Sequence, residues 1–217
     1  MRVPQTASLT LEEEHRALGH AYIAGLDEAG RGAWAGPVVA AAVILPVARL
    51  NLRESLPGVR DSKKVTTMRQ RCHLAESVRG VALAWGVGEA DVDEIASYNI
   101  AGATRLAMHR ALDAMWAAFP GVMPSLLFLD YMPLPDCPVA QLSLARMDSL
   151  SLTVASASLL AKTHRDAIML DLDGLYPGYD FAHNKGYGQP KHRAGLDRLG
   201  SCPAHRMNFK PLQRRLL

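Results

Sequence analysis

Apolar positions along the chain change their spacing twice, and each change predicts a different kind of element. Thr10-Leu-Glu-Glu13 is a capping-box pattern, which predicts a short helix over residues 11–18 that stops at Gly19. An apolar stretch at residues 21–26 then runs into Asp27. A turn rich in glycine (Gly30, Gly32, Gly36) and closed by Pro37 leads to the apolar run 38–45, bounded by Pro46. Val81, Leu83, Trp85 and Val87 alternate with smaller or polar neighbours, the period of a half-buried strand. No long helix is predicted between these three segments, which suits an antiparallel meander.

Beyond residue 100 the period lengthens. Leu106, Met108, Leu112, Met115 and Trp116 fall near helical spacing over residues 100–119, and Pro120-Gly121 ends the pattern. Residues 126–129 form a short apolar run ending at Asp130, and residues 139–144 are another strand candidate. A helix before Asp130 implies a crossover, so this strand is expected to run parallel to the first. Residues 152–172 read as a long helix closed by Gly174 and Pro177. The order predicts an α/β protein with a mixed sheet flanked by helices. Residues 1–182 are expected to form the core, and residues 183–217 a basic extension of short helices or loops.

Composition narrows the class. A length of 217 residues fits one domain with a substantial core, at 49% hydrophobic and 21% charged. No apolar run is long enough to span a bilayer, and the first residues lack the apolar centre of a secretory signal, so a cytoplasmic protein is expected. Cys72, Cys137 and Cys202 contain no C-x-x-C pair and read as reduced thiols. Cys202 and His205 are spaced like half a zinc site, but no matching second pair follows. The net charge of +3 hides an asymmetry: residues 183–217 carry +7 and residues 1–182 carry −4. A basic end on an acidic body suggests a polyanionic partner; a solvated tail is the plainer alternative.

Asp27 and Glu28 sit where an apolar strand meets a glycine turn, and Asp130 ends a second strand in the same way. If those strands are parallel neighbours, both acids emerge at one sheet end, where open α/β sheets place their sites. Asp166, on the long helix, shares a face with Lys162 and is the fourth candidate. At ~4 Å and an effective dielectric of ~20, each carboxylate pair costs roughly 4 kcal/mol. A hard divalent cation would relieve that repulsion, and oxygen-only ligation favours magnesium or manganese over zinc. Two such ions suit in-line displacement at a phosphodiester. His73, His109, His183 and His192 show no catalytic spacing and are expected mostly at the surface. Asp171-x-Asp173-Gly174 reads as a helix end rather than the start of a calcium loop.

Gly25-Leu-Asp-Glu-Ala-Gly-Arg-Gly32 resembles the signature of the ribonuclease HII family, and Ala35-Gly-Pro-Val-Val-Ala-Ala-Ala-Val43 continues it. Further matches are Asp61-Ser-Lys-Lys64, Leu129-Asp130, Ala155-Ser156 through Ala161-Lys162, Arg165-Asp166, Lys185-Gly-Tyr187, and His205-Arg206 with Phe209. The ordered set covers roughly residues 21–215 and is far more specific than any one motif.

The resemblance implies a ribonuclease H-like fold with five strands and Asp27, Glu28, Asp130 and Asp166 as the metal-binding acids. It also implies cleavage of RNA in RNA–DNA hybrids and 5′ of single ribonucleotides in duplex DNA, leaving 3′-hydroxyl and 5′-phosphate ends. The implied roles are excision of misincorporated ribonucleotides and removal of primer RNA, by a monomer. Gly30, Arg31 and Gly32 would contact the junction nucleotide, since glycine lets backbone approach a sugar closely and the 2′-hydroxyl marks RNA. Tyr187 would stack on the following deoxyribose, and Lys63, Lys64, Lys162 and the basic tail would hold phosphates. The last five residues, Gln-Arg-Arg-Leu-Leu, resemble a sliding-clamp binding peptide.

The sequence departs from the family pattern at Tyr131, Ala33-Trp34, Thr163-His164, Asn184 and Gln189; none of these removes an acid or the Gly-Arg-Gly turn. Ribonuclease HIII is a rival, but its extra N-terminal domain would need more than the ~20 residues that precede the first strand, and Arg31 also favours HII. A non-catalytic hybrid-binding module is the rival from another class, and it would be expected to lack at least one acid.

Overall fold

The computed structural model describes residues 7–59 and 67–213. Lys63, Lys64 and all of the C-terminal peptide beyond Gln213 therefore lie outside the described residues. In chain order the elements are α1 (Thr10–Ala17), β1 (Ile23–Ala29), β2 (Val38–Ile44), α2 (Leu52–Ser55), α3 (Met68–Val81), β3 (Ala84–Ala90) and α4 (Val92–Ala118). They continue with β4 (Leu126–Asp130), β5 (Ala140–Leu144), a 3₁₀ turn (Met147–Ser149), α5 (Leu152–Leu175), α6 (Phe181–Asn184), α7 (Pro190–Leu199) and α8 (Lys210–Gln213).

The strands form one mixed sheet in the order β3-β2-β1-β4-β5. β1 pairs antiparallel with β2 and parallel with β4; β3 is antiparallel to β2, and β5 parallel to β4. Strand alternation splits the core in two. Ala24 and Leu26 of β1 face one side with α4, whose Ala107, Met108, Ala111 and Leu112 complete that layer. Gly25 faces the other side, where a Cβ would fall 2.6 Å from the Thr153 carbonyl carbon. Helix α5 thus lies directly on β1, a close approach that only glycine permits. β2, the run Val-Val-Ala-Ala-Ala-Val-Ile, is buried along its whole length.

Three expectations about local structure are corrected. Thr10 does not cap α1: the helix starts after Leu9 with no side-chain cap bond. Glu12 is instead buried, accepting from Ser151 Oγ at 2.6 Å and Thr153 N at 2.9 Å. The helix start is set by this tie to the chain before α5.

The meander contains a 14-residue helix, α3, between β2 and β3, and Val81 ends that helix rather than beginning a strand. The buried face of β3 is Ala84, Gly86, Gly88 and Ala90, because α4 packs closely there; Trp85 and Val87 lie on the other face, half-buried. Finally, α4 begins at Val92 behind a capping box of Asp91 and Glu94. Asn99, at φ 56°, kinks it and caps the second half through bonds from Ala101 N and Gly102 N. Apolar spacing detects only that second half.

Among the described residues, no helix is long and apolar enough to cross a membrane.

Candidate active site

Leu26 of β1 pairs with Leu129 of β4 in the sheet register. One residue further along these parallel strands stand Asp27 and Asp130, on the face that Gly25 and Phe128 also take by alternation. That is the face covered by α5. Asp130 Oδ1 accepts from Met147 N at 2.8 Å, which ties the 3₁₀ turn beyond β5 to the end of β4. This turn presents Asp148, a residue that sequence reasoning missed. Oxygens of Asp27, Asp130 and Asp148 all lie within 4.8 Å of one another, with Asp27 and Asp148 buried.

Burial first, then the charges of Glu28 and Asp130, pushes the Asp27 carboxyl well above its usual range, although Ser158 of α5 donates to it and works the other way. A buried acid whose ionised form is disfavoured for want of positive charge is a fitting ligand for a cation. The donor set is all oxygen, which suits a hard divalent ion.

Glu28 follows Asp27 on β1 and is close enough to raise it electrostatically, but its Oε1 is held by Arg31 Nη1 at 3.3 Å. Glu28 stands next to Asp27 on β1, outside the set of acids whose oxygens lie within 4.8 Å of one another. Asp166, the expected fourth acid, is not among the three whose oxygens lie within 4.8 Å of one another. It is fully buried, with one oxygen paired to Arg71 Nη2 at 3.0 Å and the other to Lys162 Nζ. The i−4 spacing that puts Lys162 on its face makes an ion pair. Lys162 is engaged in that pair, and burial lowers its pKa from the ordinary lysine value.

The glycine turn begins at Gly30, just past the end of β1 and three residues after Asp27. Gly30 has φ +94°, and a Cβ there would fall 2.0 Å from Arg165 Nε, so the position needs glycine. Gly32 is different: its nearest neighbour is Tyr187 Cε1, 3.8 Å from an added Cβ. The turn and Tyr187 are thus brought together, and Tyr187 is 39% exposed. Arg31 is partly exposed between the glycines.

Two buried arginines hold this loop from below. Arg165 donates to the carbonyls of Ala35, Pro37 and Lys185; Arg206 donates to those of Arg31, Ala33, Gly36 and Pro37. By sequence Arg206 belongs to the basic tail, yet it is fully buried and contacts backbone, not solvent.

His192 corrects the expectation of a surface histidine, since it is fully buried. Cys202 Sγ lies 3.1 Å from His205 Nδ1, but the only cluster of metal-type ligands among the described residues is the aspartate group.

The ribonuclease HII family matches residues 24–212. Ribonuclease HII of Thermus thermophilus is 47% identical over 190 residues, covering 88% of this chain and 87% of that protein. Two solved structures share the fold. The complex of PCNA and RNase HII from Archaeoglobus fulgidus superposes with a TM-score of 0.68 at 23% identity, over 88% of this chain and 94% of the other. Bst-RNase HIII in complex with Mn2+ gives 0.65 at 21% identity, over 90% and 69%.

Proposed function

Because the chain belongs to the ribonuclease HII family, and is thereby a divalent-metal-dependent ribonuclease H enzyme, we propose that it hydrolyses the RNA strand of RNA–DNA hybrids and incises 5′ of single ribonucleotides embedded in duplex DNA. The products are a 3′-hydroxyl and a 5′-phosphate. The observation that carries this reading is the convergence of Asp27, Asp130 and Asp148 at the strand end from which the Gly30-Arg31-Gly32 turn departs.

Asp27, Asp130 and Asp148 are the residues that would hold magnesium or manganese, with Glu28 beside them. A pair of such ions, when bound, supplies polarisation of the scissile phosphate and neutralises charge on the leaving oxygen. The chain's own part is positional. Asp27 offers a carboxylate whose ionised form burial disfavours and a cation would stabilise. Asp130 keeps Oδ1 on Met147 N and so fixes the turn that carries Asp148. Gly32 leaves room for a sugar beside Tyr187, whose half-exposed ring offers a stacking face to the following nucleotide. Lys63 and Lys64 are proposed as phosphate contacts, and residues 213–217 as a peptide for a sliding clamp.

The test is a DNA duplex with one internal ribonucleotide, incubated with magnesium, manganese or chelator. Cutting at the 5′ side of the ribonucleotide, lost with chelator, is expected. Binding without cleavage in either metal would instead favour a hybrid-binding module. Removing the last five residues is expected to abolish capture by immobilised clamp while leaving cleavage intact.

A further inference from the structure

A chain of three hydrogen bonds runs beneath Tyr187 through two buried histidines, and its direction follows from the donors at its ends. At one end the backbone N–H of Cys202 points at His205 Nδ1, 2.9 Å away. A backbone N–H can only donate, so Nδ1 carries a lone pair. The Cys202 carbonyl oxygen, 3.2 Å from the same nitrogen, already accepts from the His205 backbone N–H at 2.9 Å. In a neutral ring the proton is then on Nε2. His205 Nε2 lies 3.0 Å from His192 Nε2, in the buried interior. The proton donates across this gap, which makes His192 Nε2 an acceptor and puts the His192 proton on Nδ1. That nitrogen lies 3.0 Å from the carbonyl oxygen of Tyr187, a group that can only accept.

Reversing any proton in this chain sets two donors or two acceptors face to face. Tyr179, Phe181 and Trp34 surround the pair, with ring centroids 4.9 to 5.8 Å from one or other imidazole. Such apolar walls strengthen the bonds and disfavour a charged ring. His205 is also bridged to Ala35, in the loop that Arg165 and Arg206 hold.

We infer that His192 and His205 are positioning residues for substrate selection: as a neutral relay in one tautomeric form, they fix the main chain at Tyr187 so that its ring stands beside Gly32. The inference rests on the reading of Tyr187 as the residue that stacks on the nucleotide after the ribose. Neither histidine touches substrate. Their contribution is the placement of the ring, so it falls on substrate binding at a single ribonucleotide rather than on the chemical step.

Two measurements test it, both on the full chain. Long-range nitrogen–proton correlation spectra at pH 7 should show His205 protonated at Nε2 and His192 at Nδ1; the opposite tautomer, or a cation on either ring, overturns the relay. In steady-state kinetics with a single-ribonucleotide duplex, His192→Phe should raise KM about tenfold with kcat nearly unchanged, the loss of one buried hydrogen bond. His192→Asn, whose amide N–H can take the place of Nδ1–H, should restore most of that loss and guards against a fold defect in the phenylalanine variant. A wild-type KM in His192→Phe, while Tyr187→Ala raises it, overturns the inference alone. A wild-type KM in Tyr187→Ala overturns the reading of Tyr187 and the relay's role in selection with it, whatever the spectra show.

Discussion

The carboxylate of Asp148 lies within 4.8 Å of that of Asp27, although Asp27 is on the central strand of the sheet and Asp148 on a turn beyond the edge strand β5. Asp130 makes the link, bonding through Oδ1 to the turn that carries Asp148. Asp148→Asn is therefore expected to lower kcat by on the order of 10²-fold or more, with little change in thermal midpoint. An Asp148→Asn enzyme within a factor of two of the native rate would remove that residue from the site.

Asp166→Asn should behave in the opposite sense. Its carboxylate holds Arg71 and Lys162 from a fully buried position. Removing the charge leaves two cations without it, at a cost of about 3–5 kcal/mol. Urea denaturation of the variant should show that loss; a variant as stable as the parent would contradict the structural role assigned to the ion pairs.

Asp27→Asn should leave the metal-free protein as stable as the parent or more so, because burial and the charges of Glu28 and Asp130 already disfavour its ionised form. Adding manganese should raise the melting temperature of the parent through binding to the folded state and do much less for the variant. Equal shifts in both proteins would place the binding site elsewhere.

Gly30 and Gly32 should separate stability from selectivity. Gly30→Ala meets both a left-handed backbone and Arg165, so a destabilisation of about 1–3 kcal/mol is expected. Gly32→Ala has space and should keep its stability while weakening discrimination for a ribonucleotide. Melting curves paired with cleavage of single-ribonucleotide duplexes would show whether the two positions differ in this way.

His205 gives a pH signature. Burial first, and His192 second, lower its pKa to about 4 from an ordinary 6.5. The titratable groups facing it are His192, Cys202 and Tyr179. Between those values the unfolded chain binds more protons than the folded one, so this contribution is complete above pH 6.5 and lost as pH falls toward 4. Its full size is on the order of 3 kcal/mol. The urea midpoint of the parent should fall more steeply across that window than that of His205→Gln; parallel curves would contradict a neutral buried imidazole.

Much of the fold and part of the site are legible in the sequence. Asp27 and Asp130 stand out because each follows an apolar run, and the helix before Asp130 requires the parallel pairing that brings them together. Asp148 is not legible in the same way: residues 145–151 have no hydrophobic period, and its only signal is an acid in the short turn between a strand and a long helix. Asp166 stands out by its i−4 lysine, and in the structure that lysine is the partner of an ion pair. Helix α3 escapes because only Leu74, Ala75 and Val78 face the core, too few for a visible stripe. The histidine pair joins residues 13 apart through tertiary packing, which no spacing rule records.

The most direct measurement is diffraction at the manganese absorption edge from crystals soaked in manganese chloride. An anomalous peak is expected at roughly 2.0–2.5 Å from oxygens of Asp27 and Asp130, with Asp148 beside it. A peak at Asp166, with none touching Asp27 or Asp130, would contradict the site described here.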